Sequence, residues 1–201
     1  MIPPTLHGMN AMECISTMQK AIRRNKPELA FRAAVELIHT SKNFNTMVAN
    51  RLRVIAVENI DTYERTDIIP YVDTLTRWMM DFYTTDLMKL GKVKLSCAAA
   101  IRVMSAAPKC RIHDDMVAAI SLSNLLDGET FEVPDWALDG HTIAGKRKGR
   151  GIDYFAEEST KLVPQPKRKN RYVEQSLANK ARKKAGEKPL HEKRQGTKDL
   201  F

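Results

Sequence analysis

The chain has 201 residues, of which 43% are hydrophobic and 28% are charged, a composition typical of a protein with one substantial apolar core. No apolar run approaches the roughly eighteen residues of a membrane-spanning helix, which excludes a transmembrane protein. We expect no membrane partner. The first ten residues lack a secretory signal pattern, and three scattered cysteines cannot form a disulfide framework. These features predict a cytoplasmic location.

The net charge of +9 is distributed unevenly along the chain. Residues 140–201 hold 17 Lys and Arg against 7 Asp and Glu, whereas residues 1–139 hold 16 against 17. A neutral body with a strongly basic C-terminal third is typical of a protein that binds a polyanion, most often nucleic acid. The charge pattern leaves open DNA or RNA, and single or double strands.

Apolar residues recur at helical spacing through the body, and this pattern predicts six helices. In chain order, the predicted inward residues are Met9, Met12, Ile15, Met18 and Ile22; Leu29, Ala33, Ala34, Leu37 and Ile38; Val48, Leu52, Ile55 and Ala56; Ile68, Val72, Leu75, Met79 and Phe82; the alanine-rich residues 93–106; and Met116, Val117, Ile120 and Leu125.

Polar residues before three of these runs predict where the helices begin. We expect Asn25 to cap the second helix, the third helix to follow Asn45, and Asp114 or Asp115 to cap the sixth. The only β-like alternation, at residues 130–133, has no second strand to pair with. The predicted fold class is therefore all-α, a compact helical bundle.

Three segments are expected along the chain. Residues 1–139 form the helical domain, and residues 140–163 form a glycine-rich basic loop that packs back on it. Residues 164–201 form a basic tail that is largely disordered until it meets a partner. So polar a tail cannot offset an ordering cost of roughly 1–2 kcal/mol per residue.

The basic side chains of the loop and tail are the candidate nucleic-acid contacts, because clustered cations suit phosphates rather than base edges. A solvated basic turn that only aids solubility is the alternative for the loop. The candidate residues are Lys146, Arg147, Lys148, Arg150, Lys167, Arg168, Lys169, Arg171, Arg182, Lys183 and Lys184. Few aromatic residues suited to stacking on bases accompany them, namely Tyr154, Phe155 and Tyr172.

Residues 140–146 fit the first seven positions of a phosphate-binding P-loop. Arg147, however, stands where a Ser or Thr would hold magnesium, and no hydrophobic strand precedes the motif. Cys97 and Cys110 lack zinc-site spacing. We therefore predict a flexible basic loop rather than an ATP site, with no catalytic residue, no metal, no cofactor and no enzymatic activity.

The chain ends in Asp199, Leu200 and Phe201. This ending resembles the short peptides that dock on bacterial and phage sliding clamps, which place a glutamine two residues before the acidic residue; here Gln195 lies four before Asp199. The resemblance implies that Leu200 and Phe201 fill an apolar pocket of a clamp. A chance apolar ending is the alternative.

Three stretches carry a family resemblance: NRLRVIAVENI at residues 50–60, AAPKCR at residues 106–111, and VPDWALDGH at residues 133–141. They resemble the C-terminal region of the replication-associated recombination proteins, the MgsA-type clamp-loader-like ATPases. The family pattern has an arginine pair before Ala-x-Glu-Asp-Ile-Gly, then Ala-Pro-Lys-Ser-Asn, then a closing proline and leucine. The matching motif residues are Arg51, Arg53, Glu58, Pro108 and Lys109.

The resemblance implies a helical oligomerisation domain, which in that family is a tetramer-forming collar beneath ATPase modules. A stand-alone collar of this kind suits a phage or another compact genome, with a place in the host cytoplasm or nucleoid. Arg51 and Glu58 share a helix face and would pair with other helices or with a neighbouring subunit; an exposed surface pair is the alternative.

Together these features predict a non-enzymatic accessory protein of DNA replication or recombination. It would self-associate or join a replication complex, and bind DNA through its basic third. The alternative is a protein-interaction module, a clamp-loader or sliding-clamp accessory subunit that binds its partner protein through the tail.

Overall fold

Five helices make up most of the first part of the chain in the computed structural model, which describes residues 3–168 and 170–189. They are α1 (Ala11–Arg23), α2 (Pro27–Thr40), α3 (Lys42–Glu58), α4 (Ile68–Asp81) and α5 (Gly91–Ala106). Helix α1 packs against α2, α4 packs against both α3 and α5, and α2 also contacts α3 and α5. The described residues contain no β-strand, so the all-α prediction is confirmed.

The apolar stripes of these helices meet in one core. All four residues predicted to face inward on α3 are buried. Burying a leucine or isoleucine side chain contributes about 1.5–3 kcal/mol, so these stripes dominate the stability of the bundle. The largest fully buried side chains are Met18, Ile22, Leu37, Ile38, Leu52, Ile55, Ile60, Ile68, Met79, Leu90, Ile101 and Met104.

Two predicted helix starts are wrong. Asn25 does not cap α2; it follows α1 with φ of 51°, in the left-handed region that asparagine tolerates, and α2 begins at Pro27. Helix α3 begins at Lys42, because the Ser41 hydroxyl accepts the N–H of Phe44 at 3.3 Å. Asn45 therefore lies inside α3, where its amide donates to the Met79 carbonyl at 3.0 Å and ties α3 to α4.

The buried face of α1 is rotated from the predicted one. Met9 and Met12 are about half exposed, and the small residues Ala11 and Cys14 are buried in their place. Two further residues predicted to face inward, Leu29 and Phe82, are also exposed. The helical period locates an apolar stripe, but the width of the stripe that a neighbour covers depends on how the helices pack.

The sixth predicted helix is present but is not buried. It consists of α6 (Ile112–Met116), a π-helical turn (Val117–Ser121) and α7 (Leu122–Asp127). The helix starts before Asp114, which pairs with Arg111 in the first turn rather than capping it. The exposed side chains, called here the α6–α7 apolar face, are Ile112, Met116, Val117, Ile120, Leu122, Leu125 and Leu126.

The chain divides into two compact units, Met1–Glu129 and Thr130–Phe201, so the charge boundary at Gly140 falls inside the second unit. The described elements of that unit are a 3₁₀ turn (Asp135–Ala137), α8 (Ile143–Arg147), α9 (Ile152–Tyr154) followed by a π-helical turn (Phe155–Ser159), and α10 (Val173–Lys184). Across residues 3–168 and 170–189, no helix has both the length and the apolar character needed to cross a membrane.

Candidate nucleic-acid interface

Asp135 is the centre of an ion-pair cluster in the second unit. The Lys148 ammonium lies 2.5 Å from one carboxylate oxygen of Asp135, and the Arg150 guanidinium bonds the other. Arg150 also donates to the carbonyls of Asp135 and Leu138, at 2.6 and 2.7 Å. Hydrogen bonds from Lys148 and Arg150 lower the pKa of Asp135 to about 2. Both candidate cations are thus ion-paired within the protein, and the single carboxylate offsets one of their two positive charges.

Tyr154 belongs to the same cluster. Its hydroxyl donates to the Asp135 carbonyl at 3.0 Å, and the Arg150 guanidinium lies 4.0 Å from the centre of its ring. One face of the ring is therefore covered by a cation, which leaves Tyr154 less suited to stacking on a base than the sequence suggests.

Lys146 and Arg147, the other two loop cations, occupy the last turn of α8 and are exposed. Neither makes an ion pair or a side-chain hydrogen bond with any residue that the structure describes. The loop therefore offers two free cations to a phosphate backbone rather than the four that its composition predicts.

The glycines of residues 140–146 serve the packing of the chain on itself. A Cβ added to buried Gly145 would lie 1.8 Å from the Asp139 carbonyl oxygen, and one added to Gly140 would lie 2.8 Å from the Arg150 carbonyl oxygen. The Thr142 hydroxyl accepts the N–H of Gly145 and begins the five-residue α8. No strand stands before this turn in the described part of the chain, so it differs from the strand–loop–helix context of a P-loop.

The tail cations fall into two groups. Arg182 makes a two-point ion pair with Glu187 at 2.5 and 2.6 Å, and Arg171 bonds the hydroxyl of its neighbour Tyr172 at 2.7 Å. Among the predicted contacts that the structure describes, the exposed tail cations without such a contact are Lys167, Arg168, Lys183 and Lys184. The predicted contact Lys169 and the predicted clamp-docking residues Asp199, Leu200 and Phe201 lie outside the described residues.

A cavity of about 560 Å³ in the second unit collects several of these groups. Its walls come from the glycine turn, from α9 and the π-helical turn, and from α10. The side chains that give it chemical character are His141, Arg150, Phe155, Lys180, Lys183 and Lys184. Sequence reasoning missed His141 and Lys180; the signal was the spacing of Lys180, Lys183 and Lys184, which places three lysines on one helix face.

Two of the family-motif residues in the first unit, Glu58 and Arg53, form ion pairs within the protein. Glu58 is only 19% exposed at its side chain and pairs with Arg23 at 2.5 Å and Arg111 at 3.6 Å, from other parts of the first unit. Arg53 pairs with Asp73 of α4 at 3.0 Å. Arg51 is half-buried and has no ion pair among the described residues. The Arg51–Glu58 surface pair that served as the alternative is therefore not formed.

Two of the motif stretches contact each other. The N–H of Asp61 donates to the Pro108 carbonyl at 3.0 Å, and the N–H of Cys110 donates to the Asn59 carbonyl at 3.2 Å. The Lys109 ammonium donates to the Ser105 carbonyl at 2.8 Å, near the C-terminus of α5. These residues join the end of α3 to the end of α5.

Comparison of the sequence with protein-family models and with curated proteins found no match. The likeness to the replication-associated recombination proteins rests on the three stretches quoted above.

Proposed function

We propose that the protein is a non-enzymatic accessory factor of DNA replication or recombination that holds DNA by its phosphates. The observation that carries this proposal is the division of the cations in the second unit. Lys148 and Arg150 share the carboxylate of Asp135, and Arg182 pairs with Glu187. The cations left without an acidic partner among the described candidates are Lys146, Arg147, Lys167, Arg168, Arg171, Lys183 and Lys184.

Free cations bind DNA mainly by releasing the counterions condensed on it. The logarithm of the affinity then falls linearly with the logarithm of salt concentration, with a slope near −0.9 for each duplex phosphate that is neutralised. A cation already paired with a carboxylate contributes little to this slope. Such contacts give affinity without sequence preference.

The test compares the salt dependence of duplex binding in the wild type, in K146Q/R147Q and in the matched control K20Q/R102Q. Lys20 and Arg102 are exposed, lie on the first unit outside the basic third of the chain, and have no ion pair in the described structure. Both double variants lower the net charge equally. We expect K146Q/R147Q to reduce the slope by about 2, as the loss of two phosphate contacts requires, and the control to leave it unchanged.

The measurement is fluorescence anisotropy of a labelled duplex over a series of salt concentrations. An equal fall of the slope in both variants would show that net charge alone, and not these residues, attracts DNA. Equal slopes in all three proteins would show that Lys146 and Arg147 do not contact phosphates. Removal of the residues after Leu162 should eliminate most of the remaining slope.

Self-association is a second proposed property, carried by the α6–α7 apolar face. Seven large apolar side chains stay exposed along one continuous helical segment, and contiguous apolar surface of this kind usually marks a protein interface. We propose that a second copy of the chain covers it, in keeping with the oligomerisation domain that the family resemblance implies.

A further inference from the structure

The cavity of the second unit combines positive charge with an aromatic wall. Its volume, about 560 Å³, lies in the range of roughly 300–1,000 Å³ that small-molecule sites occupy. No acidic side chain lines it. Arg150, which forms part of the wall, is ion-paired with Asp135.

Three lysines provide the net charge of the cavity. Lys180, Lys183 and Lys184 lie three and four residues apart on α10 and line the cavity together. None forms an ion pair with a described residue, whereas Arg182, between them in sequence, pairs with Glu187. Glu187 therefore pairs with the arginine, and three ammonium groups remain at the cavity to bind an anion.

Phe155 supplies an aromatic surface beside these charges. The Lys180 ammonium lies 4.9 Å from the centre of the Phe155 ring, and His141 meets that ring edge-on at 5.4 Å between centroids. Asp139 orients the histidine, because its carboxylate lies 2.9 Å from Nδ1 of His141. The Phe155 ring therefore has an oriented histidine at one side and the Lys180 ammonium over its face.

We propose that this cavity binds one unpaired nucleotide of a single-stranded nucleic acid, with its base against Phe155 and its phosphates on Lys180, Lys183 and Lys184. The base takes the place of the Lys180 ammonium over the ring, and the ammonium then contacts a phosphate. The proposal rests on the proposed function and adds to it the strand type that the basic region prefers.

The aromatic wall distinguishes an unpaired base from a duplex. Inside a duplex the faces of the bases are stacked on one another, so a rigid duplex offers such a cavity phosphates only. A single strand presents a phosphate and an open base face together, and stacking on an aromatic side chain is worth about five- to 150-fold in affinity per base. Phosphate contact alone would not need Phe155.

The test uses the full chain and two labelled probes, a twelve-nucleotide oligothymidylate and a duplex of equal length. Phe155→Leu keeps an apolar side chain but removes the aromatic face. We expect F155L to weaken oligothymidylate binding about tenfold while duplex binding changes less than about twofold. K183Q/K184Q should weaken oligothymidylate more than K167Q/R168Q does, because Lys167 and Arg168 do not line the cavity.

A matching oligouridylate probe distinguishes DNA from RNA as the source of the single strand. Circular dichroism checks that each variant retains the helical content of the wild type. If F155L loses helical content, the comparison of K183Q/K184Q with K167Q/R168Q tests the cavity proposal in its place. Equal loss for both probes in F155L, or equal effects of K183Q/K184Q and K167Q/R168Q, would overturn the cavity proposal alone. Failure of the wild type to bind either probe would overturn the proposed function as well.

Discussion

His39 is a residue whose environment opposes its charge. It lies in the last turn of α2, and its Nε2 atom is buried without a hydrogen-bond partner in the described structure. Burial lowers the pKa of His39 from 6.5, and the nearby Lys94 lowers it further, although Glu36 opposes them. The folded protein therefore takes up this proton less readily than the unfolded chain does.

The sign of the pH dependence follows from this difference. Above the unfolded pKa of 6.5 both states leave His39 neutral, and its effect on stability is nil. As the pH falls below 6.5, the unfolded chain binds the proton first, so the free energy of unfolding decreases. We expect the urea midpoint of the wild type to fall between about pH 7.5 and pH 5.5.

Substitution H39Q is the control for this prediction. It should flatten the dependence over the same pH interval, even if it lowers stability overall, because glutamine does not titrate. The prediction fails if both proteins lose the same amount of stability on acidification, since the titrating group would then lie elsewhere.

The α6–α7 segment shows at the scale of a helix what periodicity can and cannot predict. Its apolar spacing correctly indicates an amphipathic helix, but the expected burial of Met116, Val117, Ile120 and Leu125 is wrong. A period of 3.6 residues identifies which side of a helix is apolar. Whether that side faces the same chain or another depends on the rest of the fold.

A substitution on this segment can be compared with one on an exposed position of α3. Ile120 is 65% exposed on the α6–α7 apolar face, and Asn43 is exposed in the first turn of α3, outside that segment. We expect I120E to reduce the molar mass seen by light scattering, because a carboxylate in an apolar interface is costly. N43E, which adds the same charge outside the segment, should leave the mass as in the wild type.

Thermal unfolding distinguishes an Ile120 that lies at an interface between two copies from an Ile120 that is buried within its own chain. A surface substitution changes stability by no more than about 0.5 kcal/mol, so monomeric I120E should remain folded. A loss of several kcal/mol in I120E would mean that Ile120 is buried within its own chain, as the sequence alone predicts. Equal masses for I120E and N43E would contradict the proposed interface.

The three cysteines report on the fold of the first unit as a whole. Cys14 and Cys97 are in the core, and burial raises the pKa of Cys97 to about 12. Cys110 is half-buried near the start of α6. Because the thiolate is the reactive form, one thiol per chain should react quickly with a disulfide reagent under native conditions.

The other two thiols should react only as fast as the unit unfolds, and all three should react at once in denaturant. C110S is expected to remove the fast phase and leave the slow one. Two or three fast thiols in the native protein would show that the core opens more readily than its packing indicates.

At the scale of the whole molecule, charge is separated along the chain. The neutral and basic parts are visible in the sequence, yet the number of cations free to bind a partner is not. Asp135 pairs with both Lys148 and Arg150, which follow it by 13 and 15 residues, and Glu187 pairs with Arg182. Lys146, Arg147, Lys183 and Lys184 stay free among the described residues, so the proposal of nucleic-acid binding loses part of its predicted contact set and keeps the rest.

The sequence by itself determined the all-α class, the approximate position of each helix of the first unit and the inward residues of α3. These depend on local spacing, which acts over three or four residues and is legible along the chain. Only the tertiary structure decided that the α6–α7 apolar face is exposed, that Glu58 pairs with Arg23, and that Phe155 meets Lys180. Contacts of this kind join residues far apart in the chain, and their distances follow from the packing of whole elements.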